Sequence, residues 1–126
     1  MYWFSGYLNK IFKSFGYALR GIWLVIKTQR NFRIHLFAAV IAILAGLFFN
    51  LSHNEWAILI LTIFAVFSAE AFNTAIEKII DLVCPEYNKL AGEAKDIAAG
   101  SVLLTAIMAV IIGLIIFLPK IIEKLS

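Results

Sequence analysis

Only one cysteine, Cys84, and two prolines, Pro85 and Pro119, occur in the chain. A single thiol excludes an intrachain disulfide, and the absence of any Cys/His cluster removes the usual pattern of a zinc site. Charge is also scarce, at 15% of residues, and the longest apolar stretches carry none. No repeat, low-complexity tract or linker interrupts the sequence. The opening MYWFSGYLNKIFKSF puts aromatics before charges and has no apolar segment ending in small residues, so it is read as mature structure and not as a cleavable signal. GYALRG, from Gly16 to Gly21, begins like a phosphate-binding P-loop. Ile22-Trp23 stand where Lys-Ser/Thr should follow, and no strand pattern precedes it.

What fills the space is hydrocarbon. The composition is 63% hydrophobic, with a mean hydropathy of +0.93, well above the norm for a soluble domain. The reading is an all-α integral membrane protein with one domain over residues 1–126. Leu36–Phe49, Trp56–Ala69 and Ile97–Leu118 are free of charge, and the last, at 22 residues, is long enough by itself to cross a bilayer core of ~30 Å. The first two must borrow their flanks. The spans are therefore placed at about 34–51, 55–83 and 93–119, and the second carries Glu70, Asn73 and Glu77 at or inside the bilayer boundary. Pro85 and Pro119 are expected to end the second and third spans at their polar edges. The connector CPEYNKLAGE, about ten residues, lets those two spans pack antiparallel.

Basic residues are distributed unevenly. Nine of the eleven flank the N-terminus and the second connector, and two, Lys120 and Lys124, lie at the far end. The positive-inside bias places the N-terminus and that connector in the cytoplasm, in a multi-pass membrane protein. Because these cations flank spans and form no soluble patch, they do not point to nucleic acid. Residues 7–27 read as an amphipathic surface helix, with Lys10, Lys13, Tyr17, Arg20 and Lys27 on one stripe. It either anchors the chain or presents that stripe to a charged ligand.

The chemistry concentrates in EAFNTAIEKIID. Glu70, Asn73, Glu77 and Asp81 step by 3, 4 and 4, which puts them on one helix face as a polar ladder roughly 16 Å long. An acidic residue within a span costs about 2.5 kcal/mol or more, so these groups need cationic company. Lys95, in AKD at the start of the third span, can reach the lower end of the ladder. A divalent magnesium ion is the other candidate, because it prefers carboxylate and amide oxygens and keeps phosphates as further ligands. Three readings follow from the residues. The ladder fixes an oligomer by interhelical salt bridges, lines an ion or proton channel, or catalyses phosphoryl transfer with one free carboxylate as base. Ser101 and Thr105, among Ala98, Ala99 and Gly100, are read as close helix packing.

GYALRGIW, RNFRIH, EAFNTAIEKIIDLV, EYNKLAGEAKDIAAGSVL and GLIIFLPK together resemble the small prokaryotic diacylglycerol kinases and their Gram-positive relatives, the undecaprenol kinases. The resemblance spans almost the whole chain. It implies a homotrimer of chains, each with a surface helix and three transmembrane helices, that transfers the γ-phosphate of ATP to a lipid alcohol at the cytoplasmic interface, in sites shared between subunits. By position, Glu70 resembles the general base and Glu77 the metal-binding carboxylate. Asn73, Asp81, Lys95 and Asp96 resemble the groups that hold the nucleotide and its phosphates, and Lys10, Tyr17, Glu86, Tyr87 and Asn88 occupy nucleotide-contact positions. Arg33, His35 and Trp56 join Glu70 as expected substrate contacts, while Arg30 and Arg33 also suit anionic headgroups. Gln29 departs from the pattern: the family usually has a metal-binding glutamate there, and the neutral amide should weaken magnesium. His35, RNFRIH and GLIIFLPK look more like the undecaprenol kinase branch, which makes undecaprenol the expected substrate and diacylglycerol the alternative.

Overall fold

The described residues form four helices: α1 Tyr2–Thr28, α2 Arg30–Phe48, α3 His53–Val83 and α4 Lys89–Leu125. A computed structural model describes residues 2–126, with side chains from residue 6 onward. Three helices, α2, α3 and α4, are long and apolar enough to cross a membrane. Expected and observed bounds differ mainly at the ends, and capping side chains, Ser52 and Asn88, start α3 and α4 ahead of their apolar runs.

The joint between α1 and α2 is the single residue Gln29, whose backbone is extended. Arg33 reaches back across it, its Nη1 donating to the carbonyls of Ile26 at 3.2 Å and Lys27 at 2.9 Å. These carbonyls belong to the last turn of α1, where a cation satisfies orphan acceptors and complements the helix dipole.

The turn from α2 to α3 is a Schellman motif. Leu51 N–H donates to Gly46 C=O at 3.2 Å, and Asn50 N–H to Leu47 C=O at 3.4 Å. Asn50 supplies the left-handed backbone, φ 52°, that this closure requires and that asparagine tolerates better than most residues. Gly46 is needed for a second reason. A Cβ there would sit 2.8 Å from Trp56 Cη2 and 3.1 Å from Leu51 Cδ1. Ser52 then starts α3 with a capping box: its hydroxyl accepts from Glu55 N–H, and Glu55 Oε2 accepts from Ser52 N–H at 2.8 Å.

Between α3 and α4 the connection is shorter than expected, because Asn88 caps α4 by accepting from Ala91 N–H at 3.1 Å. Only residues 84–88 remain outside the helices. A link that short makes α3 and α4 an antiparallel pair, which is the main helix contact in the fold. Leu51, Leu59 and Ile116 form its buried cluster, with Trp56, Ile63, Ile112 and Phe117 against it.

Pro119 does not end α4 as the sequence suggested. The helix runs through it to Leu125. Proline's fixed φ suits a helix, and its cost is one lost N–H donor and crowding of the preceding turn. The turn beyond it is tied down: Lys120 Nζ lies 3.0 Å from Glu55 Oε1, and Lys124 Nζ sits 3.8 Å above the Phe48 ring. The ends of α2 and α4 are thus fastened to the start of α3.

Candidate active site

At the opposite end of the bundle, the start of α2, the last turns of α3 and the start of α4 converge. The ladder on α3 is real in geometry, since successive members meet each other or a neighbouring helix. Glu70 is 2% exposed, and its Oε1 lies 3.3 Å from His35 Nε2 on α2. The approach is close without hydrogen-bond alignment, so Glu70 Oε1 remains a buried oxygen with no donor. Phe32 packs on Phe67 with ring centroids 5.0 Å apart, one turn away on both helices, and holds α2 against α3 there. Thr74, also buried, donates its hydroxyl to Glu70 C=O at 2.9 Å.

One turn further on, Asn73 Nδ2 donates to Glu77 Oε1 at 3.2 Å. Asn73 Oδ1 is buried and takes no donor. Asp81 Oδ1 then receives Lys95 Nζ of α4 at 2.5 Å. The ladder therefore passes from a buried carboxylate in contact with α2 to an exposed ion pair with α4.

The remaining expected site residues are placed less closely. Gln29 is half-buried at the α1–α2 joint. Lys10, Tyr17, Glu86, Tyr87 and Asp96 are exposed, and among the described residues no side-chain hydrogen bond or ion pair engages them. Asn88 Oδ1 is committed to the α4 cap, which leaves only its amide NH₂ free. The Arg33 guanidinium is on the α1 carbonyls. Trp56 packs on Gly46 at the other end of the bundle, and its separation from Glu70 along α3 is roughly 21 Å at the helical rise. Sequence reasoning missed three arrangements, the Asn88 cap, the Arg33 contact with α1 and the approach of His35 to Glu70. The signal for Asn88 was available, since Asn before an apolar-periodic run is a helix start. His35 was signalled too, because an ionisable group inside a span calls for a named partner.

Between α2, α3 and α4 lies an apolar cavity of about 400 Å³. Small residues line it, Ala38, Ala42 and Ala45 from α2 with Ala106, Ala109 and Gly113 from α4, and His35 stands at its polar end.

The sequence that builds this arrangement matches a known family. The profile described as Prokaryotic diacylglycerol kinase matches residues 16–117. The chain belongs to the prokaryotic diacylglycerol kinase family. Undecaprenol kinase of Bacillus subtilis (strain 168) is 49% identical over 113 residues, which cover 90% of this chain and 92% of that one. Diacylglycerol kinase of Synechocystis is 46% identical over 87% of this chain and 63% of its own length. Diacylglycerol kinase of Escherichia coli (strain K12) is 30% identical over 82% of this chain and 84% of that protein. Family membership makes the chain a lipid kinase, and three of its helices are long and apolar enough to cross a membrane. The matched segment begins in α1 and ends just before Pro119, so it contains every ladder residue as well as His35 and Lys95.

Proposed function

We propose that this kinase transfers the γ-phosphate of ATP to undecaprenol, giving undecaprenyl phosphate, at the cytoplasmic face of a bacterial cell membrane. One observation carries the reading. Glu70 keeps a buried oxygen without a donor at the head of a face of hard oxygens that leads down to Lys95. A lipid hydroxyl is the donor that such an oxygen lacks. Glu70 accepts its proton as the hydroxyl oxygen attacks the γ-phosphorus, and the bond to the β-phosphate oxygen breaks.

The donors suit magnesium. Glu77 offers a carboxylate and Asn73 an unpartnered amide oxygen, and Gln29 would add a carbonyl. Among the described residues no three His, Cys, Asp or Glu side chains could hold a metal alone. That agrees with an ion that takes its other ligands from phosphates and water. When bound, it would neutralise phosphate charge. Lys95 adds a positive charge to the same end, with Asp81 orienting its ammonium. Lys10, Tyr17, Asp96, Glu86, Tyr87 and the Asn88 amide form the nucleotide contacts, and their exposure in the single chain supports a homotrimer whose neighbouring subunit completes each site. The uneven basic residues support a cytoplasmic N-terminus.

The Bacillus relative supports undecaprenol, and the 46% identity to the Synechocystis protein keeps diacylglycerol as a second reading. The test is transfer of labelled phosphate from ATP in mixed micelles with magnesium and either lipid. A higher initial rate on undecaprenol is expected. No phosphorylation of either lipid, even after Gln29→Glu, would remove the proposal.

A further inference from the structure

We infer that His35 takes the proton from Glu70 after each transfer and passes it to the interface, so that Glu70 is ready for the next hydroxyl. The inference rests on the reading of Glu70 as the base. Each turnover leaves a proton on a side chain that is 2% exposed. A buried group of this kind needs an acceptor within reach, and the surroundings offer one.

On α3 itself, Glu77 lies further along the face and already accepts from Asn73. The Thr74 hydroxyl is spent on the Glu70 carbonyl. From α4, the cavity wall consists of Ala106, Ala109, Val110, Gly113 and Phe117, none of which ionises. The cation nearest to it in sequence, Arg33, has its guanidinium on Ile26 and Lys27 at the end of α1. What remains is His35 Nε2, 3.3 Å from Glu70 Oε1, on a side chain that is 25% exposed where Glu70 is 3%. The imidazole therefore lies against the buried carboxyl and still keeps a quarter of its side-chain surface exposed.

The proton balance is complete. The lipid hydroxyl proton moves to Glu70 while the new O–P bond forms and the bond to ADP breaks. A turn of the ring then brings the Nε2 lone pair into line with Glu70 Oε1, 3.3 Å away, and the proton moves across, which restores the carboxylate and leaves an imidazolium. The imidazolium releases the proton from Nδ1 to interfacial water. His35 is thus a positioning and proton-accepting partner that acts through Glu70 and does not touch the phosphate.

His35→Gln preserves a polar contact to Glu70 but cannot carry a proton. It should lower kcat by about tenfold to a hundredfold, the scale of a lost acid–base step, while KM for ATP stays within about twofold, as expected for a change outside nucleotide binding. The pH dependence of kcat should change in this variant. His35→Ala opens space at the end of the cavity, and added imidazole should restore its kcat, with substituted imidazoles following their basicity. Wild-type kcat and pH profile in His35→Gln would overturn the relay. A slow His35→Ala that no imidazole restores would overturn it as well, by showing that the ring only holds α2 on α3. If His35→Ala does not fold, the His35→Gln profile decides alone. The unmodified chain in the same assay tests the kinase reading separately: if it transfers no phosphate, that reading falls and the relay with it.

Discussion

Gly46→Ala is a perturbation whose two effects have opposite signs and can be weighed. Gly46 lies inside α2 with an ordinary helical backbone, so alanine should stabilise the helix by roughly 1 kcal/mol through lower chain entropy and better propensity. The added Cβ, however, meets Trp56 Cη2 at 2.8 Å, and Trp56 Cζ2 and Leu51 Cδ1 at 3.1 Å each. A contact that short forces a shift. The Trp56 ring has little room to give way, because it packs on the cluster of Leu51, Leu59 and Ile116. Overpacking of this kind costs about 1–3 kcal/mol, which leaves a net loss of about 1 kcal/mol. Gly16→Ala is the control, since nothing lies within 4 Å of a Cβ there and only the gain should appear. Trp56→Phe removes the outer ring atoms that make the clash, so Gly46→Ala combined with Trp56→Phe should lose less than the sum of the singles. Sodium dodecyl sulfate titration of the purified protein in micelles, followed by circular dichroism, measures all four. Strict additivity, or a Gly46→Ala protein as stable as Gly16→Ala, would refute the steric reasoning. Lipid KM in Trp56→Phe adds a functional readout. With Trp56 roughly 21 Å along α3 from Glu70, it should be unchanged.

Glu70→Gln keeps the shape of the side chain and removes the base, so transfer should fall by about a hundredfold or more with the fold and nucleotide binding retained; loss of the folded protein would favour a purely structural ladder. Gln29→Glu should raise activity at limiting magnesium and lower the magnesium needed for half-maximal rate, and an unchanged magnesium titration would take Gln29 out of the metal site. Lys95→Met breaks an ion pair whose side chains are 38% and 66% exposed, so resistance to unfolding should barely change while KM for ATP rises; a thermal midpoint that drops with KM unchanged would assign Lys95 to packing.

The ladder and the spans were legible because both rest on spacing within one helix. Steps of 3 and 4 put Glu70, Asn73, Glu77 and Asp81 on one face whatever surrounds them, and the Asn73–Glu77 contact follows from that alone. The Lys95–Asp81 pair was readable too, since a short connector leaves few places for Lys95 to go. Contacts that depend on how α2 leans were not readable. His35 and Glu70 are 35 residues apart in sequence, and no periodicity links them. Arg33 reads as a substrate or headgroup cation until the chain folds back at Gln29 and offers it two carbonyls. Pro119 was misread for a related reason. The cost of proline inside a helix was visible, but the neighbours that hold the next turn, Glu55 and Phe48, lie on other helices.

Between these extremes stands α2, and how it is held decides whether stability and catalysis can be perturbed separately. In a bilayer there is little hydrophobic drive between helices, so close packing of small residues and specific polar contacts must hold them. α2 has such contacts at its two ends. Phe32 and His35 meet Phe67 and Glu70 at one end, and Gly46 meets Trp56 and Leu51 at the other, with the apolar cavity between. The two fastenings are roughly 16 Å apart along the helix. A bulkier residue at Gly46 pushes that end outward, and the helix pivots about the Phe32–Phe67 contact, which lies beside His35. A pivot close to His35 moves it little. Substitutions at Gly46 should therefore lower resistance to unfolding while leaving kcat near its wild-type value, and substitutions at His35 should do the reverse. A fall in kcat that tracks the stability loss across Gly46→Ala and Gly46→Val would show that the two ends move as one and that the pivot is misplaced.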